Sequence, residues 1–339
     1  MDKGTAHRFD RLFVAVVTPF EENSFDVDED RLRRLLRYYL QPRYAEAGIA
    51  IVINPEAGEV FYLTREEKIR NVRIAVEECR GRVPLFAGAI DLRTDDTVRV
   101  AVDAKKEGVD GIFVIPPLGA IDITTSWNAE KYPEVWIDQV KAIDAAVDLP
   151  LIAHPVASPS MAFGVGFPRE ATLRMCREVP NMVGWKMTYN WDGYRTVGRA
   201  LRNLDRHVAI LGAPAVYFHE ALASDLFDGT VTGSFNYALE SMIDHIVAWR
   251  DGDVKKATAI WSDGLAELHE YIYSDYSRLH VRYKVATWLR GLIAHPLMRP
   301  PMPRPLRAEV QAIRDLLVKA GLPVIEPEAV LSFTATLKA

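Results

Sequence analysis

Apolar residues recur along this chain in two alternating rhythms. Short, nearly uninterrupted runs of aliphatic and β-branched side chains are separated by longer stretches in which apolar residues return every three or four positions, as on amphipathic helices. The runs are Leu12–Phe20, Gly48–Ile53, Val83–Ala89, Gly111–Ile115, Pro150–His154, Met182–Met187, Val208–Gly212 and Thr230–Ser234. Runs without a polar face predict parallel strands buried on both sides. The stretches between them carry helix punctuation. Asp28 is an N-cap ahead of Leu32, Leu35, Leu36 and Tyr39, and Thr64 and Glu67 have capping-box spacing. Helices follow over 94–108 and 128–147, Pro168 lies near the first turn of another, and 192–204 and 217–225 continue the series.

Eight β-then-α units in succession predict an α/β fold, a closed (β/α)8 TIM barrel. An open doubly wound sheet is the competing arrangement. No G-x-G-x-x-G follows the first strand and no G-x-x-x-x-G-K-[ST] occurs, so a nucleotide-binding open sheet has no support. From Tyr237 the strands stop while helical periodicity runs on to Leu322, across a proline-rich link at 296–305. Residues 1–236 therefore read as the barrel, 237–322 as a C-terminal helical extension, and 323–339 as an extended tail.

Charge and cysteine usage narrow the function. Forty-one basic against 46 acidic residues give a net charge of −5, with no basic stripe. This argues against nucleic acid or an anionic membrane surface as a partner. No apolar run reaches the ~18 residues of a membrane span, and the charged first eleven residues lack the apolar segment of a secretory signal. Cys79 and Cys176 lie far apart in helical segments, which fits a reducing cytoplasm better than a disulfide framework.

Barrel chemistry gathers at the C-terminal ends of strands. That rule selects Thr18, Glu56, Glu59, His154, Lys186, Tyr189 and the turn Gly233–Asn236. Lys186 is the most informative, because it interrupts the apolar run Val183–Gly184–Trp185–Lys186–Met187. A buried lysine loses its proton more readily, and a neutral amine attacks carbonyls to form a Schiff base. From the strand alone, an ammonium snorkelling to solvent at the strand edge is the competing reading. The remaining histidines at 219, 245, 269 and 280 lack metal-ligand spacing, and no metal site is expected.

Several segments, in order across residues 12–322, carry a resemblance. They are Val17–Thr18–Pro19–Phe20, Gly58–Glu59 with Leu63–Thr64 and Glu66–Glu67, Val183–Gly184–Trp185–Lys186, and Gly229–Asn236. Together they resemble the dihydrodipicolinate synthase/N-acetylneuraminate lyase family of class I aldolases and lyases. The resemblance implies that Lys186 is the Schiff-base lysine and that the substrate is a small 2-oxo acid or related carbonyl compound. It also implies that no organic cofactor is needed, and that the protein assembles as a homotetramer or homodimer. Aromatic residues of the C-terminal helices, among them Trp249, Trp261, Tyr271, Tyr273 and Tyr276, are expected to pack those helices or an oligomer interface.

The departures from that family form a set. Glu56 and Ala57 stand where it has two threonines that bind the 2-oxo acid carboxylate and relay protons. His154 stands at its catalytic tyrosine, Pro117–Leu118 at its aromatic pair after the fourth strand, and Pro159 near its arginine for a second carboxylate. His154 is expected to move protons, with Glu56 orienting its ring and raising its pKa. A hydrogen-bonded core histidine and a solvated loop carboxylate are the competing readings. Glu59 is expected to bond backbone amides before the next helix. Thr18, Tyr189, Gly212, Ala213, Gly233, Ser234 and Asn236 are expected to contact substrate, and Thr124, Thr125 and Ser126 to line the mouth. Two other functions stay open: a dehydratase or hydratase-aldolase for a sugar acid or aromatic oxo acid, and a catalytically silent barrel that binds an oxo acid or carbohydrate.

Overall fold

A computed structural model describes residues 8–117, 127–335 and 337. The apolar runs become β1 (Leu12–Ala15), β2 (Ile49–Ile53), β3 (Leu85–Ala89), β4 (Gly111–Val114) and β5 (Leu151–Ala153). After a hairpin, β6 (Val156–Ser160) with β7 (Gly164–Gly166), come β8 (Met182–Met187), β9 (Ala209–Gly212) and β10 (Gly229–Thr232). The eight longer-range partners close into a barrel in the order β1-β10-β9-β8-β5-β4-β3-β2, every pair parallel. The hairpin carries no alternating apolar pattern and has no signature in the sequence.

The observed helices follow the expected caps. Asp28 accepts from the Arg31 amide, and Thr64 and Glu67 exchange the two hydrogen bonds of a capping box. Some boundaries differ from expectation: the helix expected over 128–147 begins only at Glu134. Helix Phe235–Arg250 follows β10 directly and buries Met242, Ile243 and Ile246, so it completes the eighth β/α unit. The helices outside that alternation then begin at Val254 instead of 237. Periodicity alone cannot say what a helix packs on. The tail is also not fully extended: Pro327–Thr334 is helical, with proline in its first turn, and its Phe333 ring lies 4.8 Å from that of Trp288.

The C-terminal helices fold back over the barrel mouth. Ala266–Tyr273, a turn at Tyr276–Arg278, and Leu279–Leu289 form a roof on the side where the strands end. Its fastening reaches almost the whole chain. Lys284 and Glu59 form an ion pair at 2.6 Å with both side chains 1% exposed. Glu59 also accepts the Arg299 amide at 2.8 Å, and the Arg299 guanidinium pairs with Glu67 at 2.7 Å. Arg290 pairs with Glu240 at 2.9 Å. Glu59 thus bonds a distant amide and a lysine, while Glu67 takes the Thr64 amide that precedes the next helix. Trp261 stacks with His219 at 5.9 Å, and Trp249 meets the same ring edge-on at 5.1 Å. Trp249 and Trp261 thus pack against His219.

Candidate active site

Side chains alternate along a strand, so Trp185 and Lys186 point to opposite faces of β8. Trp185 faces the helices, where its ring neighbours those of Trp136 and Phe167. Lys186 faces inward, into a cavity of about 200 Å³ beneath the roof. His154 is the first residue beyond β5, held in register by its amide bonding Val114 O at 2.8 Å. Its ring lies 5.3 Å from that of Phe113, which also sits 5.6 Å from the Lys186 ammonium position.

Glu56 comes from the turn Glu56–Gly58 after β2. That turn presses against β1. A side chain at Gly58 would place its Cβ 2.6 Å from Val16 O, and Thr18 Oγ1 donates to Gly58 O at 2.7 Å. From there Glu56 crosses the barrel, and its Oε2 lies 3.2 Å from His154 Nε2. The same Nε2 lies 3.2 Å from Lys186 Nζ. Groups from the neighbouring strands β8 and β5 and from the turn after β2 therefore meet at one nitrogen.

One ring nitrogen cannot serve both neighbours as donor and acceptor. His154 Nδ1 is buried with no hydrogen-bond partner among the described residues. A buried bare lone pair is tolerated better than a buried orphan N–H, so the proton belongs on Nε2. It then points at the Glu56 carboxylate and, once Lys186 loses its proton above pH 8, at the lone pair of that amine. Burial pulls the Lys186 pKa from 10.5 down to about 8, against the opposing attraction of Glu56. The expectation that Glu56 would raise the His154 pKa is reversed. Burial, reinforced by Lys186 and His280, holds it well below 6.5, so the imidazole is neutral at pH 7. Desolvation outweighs one partly exposed carboxylate.

The other sequence-selected residues divide. Ala213 and Gly233 line the cavity with Lys186, His154 and Glu56. Ser234 lies just behind it, its Oγ 3.1 Å from Tyr273 Oη. Thr18 is fully engaged with the Glu56 turn. Gly212 faces Phe218 and Phe227, away from the cavity. Tyr189 lies in the helix layer, where its Oη accepts from Trp185 Nε1 at 2.9 Å. Asn236 uses both ends of its amide: Oδ1 accepts from the Val17 amide and Tyr39, and Nδ2 donates to Ala15 O and Gly233 O. It closes β1 against β10. Thr124, Thr125 and Ser126 lie outside the described residues.

Sequence reasoning missed the contribution of the roof. Tyr273, Tyr276, Leu279, His280 and Tyr283 line the cavity opposite the strand ends. Their aromatic density was visible, but its direction depends on how the extension docks. Val156 and Val165 of the hairpin form another apolar wall. No arginine is among the described lining residues.

Residues 8–320 match the dihydrodipicolinate synthetase family. The chain is 28% identical over 327 residues to the 4-hydroxy-tetrahydrodipicolinate synthase of Nitratidesulfovibrio vulgaris, covering 93% of this chain and 99% of that protein. Its fold is similar to that of dihydrodipicolinate synthase from Aquifex aeolicus, with TM-score 0.77, 21% identity, and coverage of 94% of this chain and 100% of the other. It is equally similar to YagE, a prophage protein from E. coli K12 solved in complex with pyruvate, with TM-score 0.77 and 21% identity over 93% and 99% of the two chains.

Proposed function

The chain belongs to the dihydrodipicolinate synthetase family, and from that premise we propose that it is a class I lyase or aldolase whose Lys186 forms a Schiff base with a 2-oxo acid or related carbonyl compound. The observation that carries this reading is the Lys186 amine, with its pKa drawn down to about 8, in a cavity 3.2 Å from a neutral imidazole. The neutral amine adds to the substrate carbonyl, the carbinolamine loses water, and the iminium draws electrons from the adjacent carbon. A carbon–carbon bond or an α-proton there can then break. His154 carries the proton and Glu56 orients its ring, in place of the threonine–tyrosine relay that the sequence lacks.

Borohydride reduction in the presence of a panel of 2-oxo acids, read by intact mass, tests the nucleophile. The reduced ligand should add to Lys186, and Lys186→Ala should abolish the adduct while the fold persists. An adduct retained on another lysine overturns the assignment. A second reading uses the same imine for dehydratase or hydratase-aldolase chemistry. It is favoured by the apolar wall of Val156 and Val165 and by the lack of arginine among the described lining residues. Product analysis separates the two. The protein works in the cytoplasm as a homo-oligomer, tetramer over dimer. The cytoplasmic part of this reading is supported by two unpaired buried thiols, each pushed up to about 12 by burial. None of its described helices is long and apolar enough to cross a membrane.

A further inference from the structure

With Glu56 in the place of a carboxylate-binding threonine, the oxo-acid carboxylate needs another site. Around the barrel, Lys186 on β8 lies between β5 and β9. On the β5 side stand His154 and the Glu56 carboxylate that reaches it. That side repels an anion. On the β9–β10 side the cavity wall consists of Ala213, Pro214, Val231, Thr232 and Gly233, with Tyr273 and Tyr283 above. No carboxylate is among the described residues of that wall.

Hydroxyls concentrate there. Tyr283 Oη donates to Tyr273 Oη at 2.5 Å, and Tyr273 Oη donates to Ala213 O at 3.0 Å. Ser234 Oγ lies 3.1 Å from Tyr273 Oη and accepts from Tyr237 Oη at the same distance. The Tyr283 ring packs against Gly233, where a Cβ would come within 2.3 Å of it. Burial holds the Tyr283 phenol far above its usual range, so it stays an O–H donor. Phenolic hydrogens rotate without moving heavy atoms. Tyr273 can turn its hydrogen from Ala213 O to an incoming anion, and Tyr283 can do the same as its 2.5 Å contact with Tyr273 lengthens, while Ser234 continues to bond Tyr273.

We propose that Tyr273 and Tyr283, carried by the C-terminal roof, are the anchor for the substrate carboxylate. The proposal rests on the imine reading above and assigns its orientation. The carboxylate lies toward β9 and β10, and the reacting carbon next to the imine turns toward His154.

Borohydride trapping with pyruvate and with methyl pyruvate, an uncharged ketone of similar reactivity, tests it. Wild type should be half-labelled at lower pyruvate than methyl pyruvate concentration. Tyr283→Phe and Tyr273→Phe should each raise the pyruvate requirement about tenfold, the usual worth of a hydrogen bond to a charged group, and leave methyl pyruvate within twofold. Ser234→Ala keeps both phenols and removes only their support, so it should weaken pyruvate a few-fold and spare the ester; it serves if a phenylalanine variant does not fold. Parallel loss with both ketones, no loss with pyruvate, or equal labelling of wild type by the two would overturn the anchor. Failure of the imine reading looks different: neither ketone would label Lys186 in wild type.

Discussion

Replacing Lys186 by methionine should make the protein more stable and inactive at once. Methionine keeps the length and nearly the volume of the lysine stem but carries no charge. The fall of the Lys186 pKa from 10.5 to about 8 measures how much the folded protein disfavours the ammonium, and corresponds to about 3 kcal/mol. Below pH 8 the lysine is protonated in both folded and unfolded chains, so the folded state bears the whole cost. Between pH 8 and 10.5 the folded amine is neutral while the unfolded one still binds a proton, and the cost shrinks. Above 10.5 it is gone. Lys186→Met should therefore gain about 3 kcal/mol at pH 7, less at pH 9, and nothing by pH 10.5. Urea unfolding of both proteins at these three pH values reads the difference. A variant that is no more stable at pH 7, or whose gain stays constant as the pH rises, would refute the reasoning. In wild type the rate of borohydride trapping should climb through pH 8 as the amine loses its proton.

His154→Ala should lower turnover on the true substrate by about 10²–10⁴ while leaving the Lys186 adduct intact, as loss of a positioned acid/base does; steady-state kinetics beside trapping checks this. Glu56→Gln should cost less and displace the pH–rate profile, read by kcat/KM between pH 6 and 9. Lys284→Met strands a buried carboxylate on Glu59 and should destabilise by about 3–5 kcal/mol, whereas neutralising both partners together should recover much of the loss in a urea titration. Light scattering at micromolar protein should give a multiple of the chain mass, and a monomer would contradict the proposed assembly.

The strands were legible because a parallel barrel buries them on both faces, and Lys186 stood out as a cation in an otherwise apolar run. Glu56 and His154 could be named because each ends a strand, and strand ends converge in this architecture. What escaped was direction. Tyr189 and Gly212 each lie one residue along the chain from a cavity position, Thr188 and Ala213, and that offset turns them toward the helices. Thr18 and Asn236 sit near the mouth, but their polar atoms are consumed in holding the turns of Glu56 and Gly233. Tyr283 and His280 were invisible, since nothing local in a helix tells which distant surface it will roof.

The fastening of that roof also orders the life of the chain. The nucleophile and its proton partner are synthesised well before the roof that covers them, and Glu59 must wait for Lys284, 225 positions later (284 − 59), to be neutralised. Contacts of such separation close late and slowly. A ribosome-bound chain extending only through Lys186 would hold the lysine without β9, β10, the roof or its phenols. On the proposed imine reading, the lysine of such a chain would lack the burial that draws its pKa down to about 8, so competence would follow assembly of the last helices.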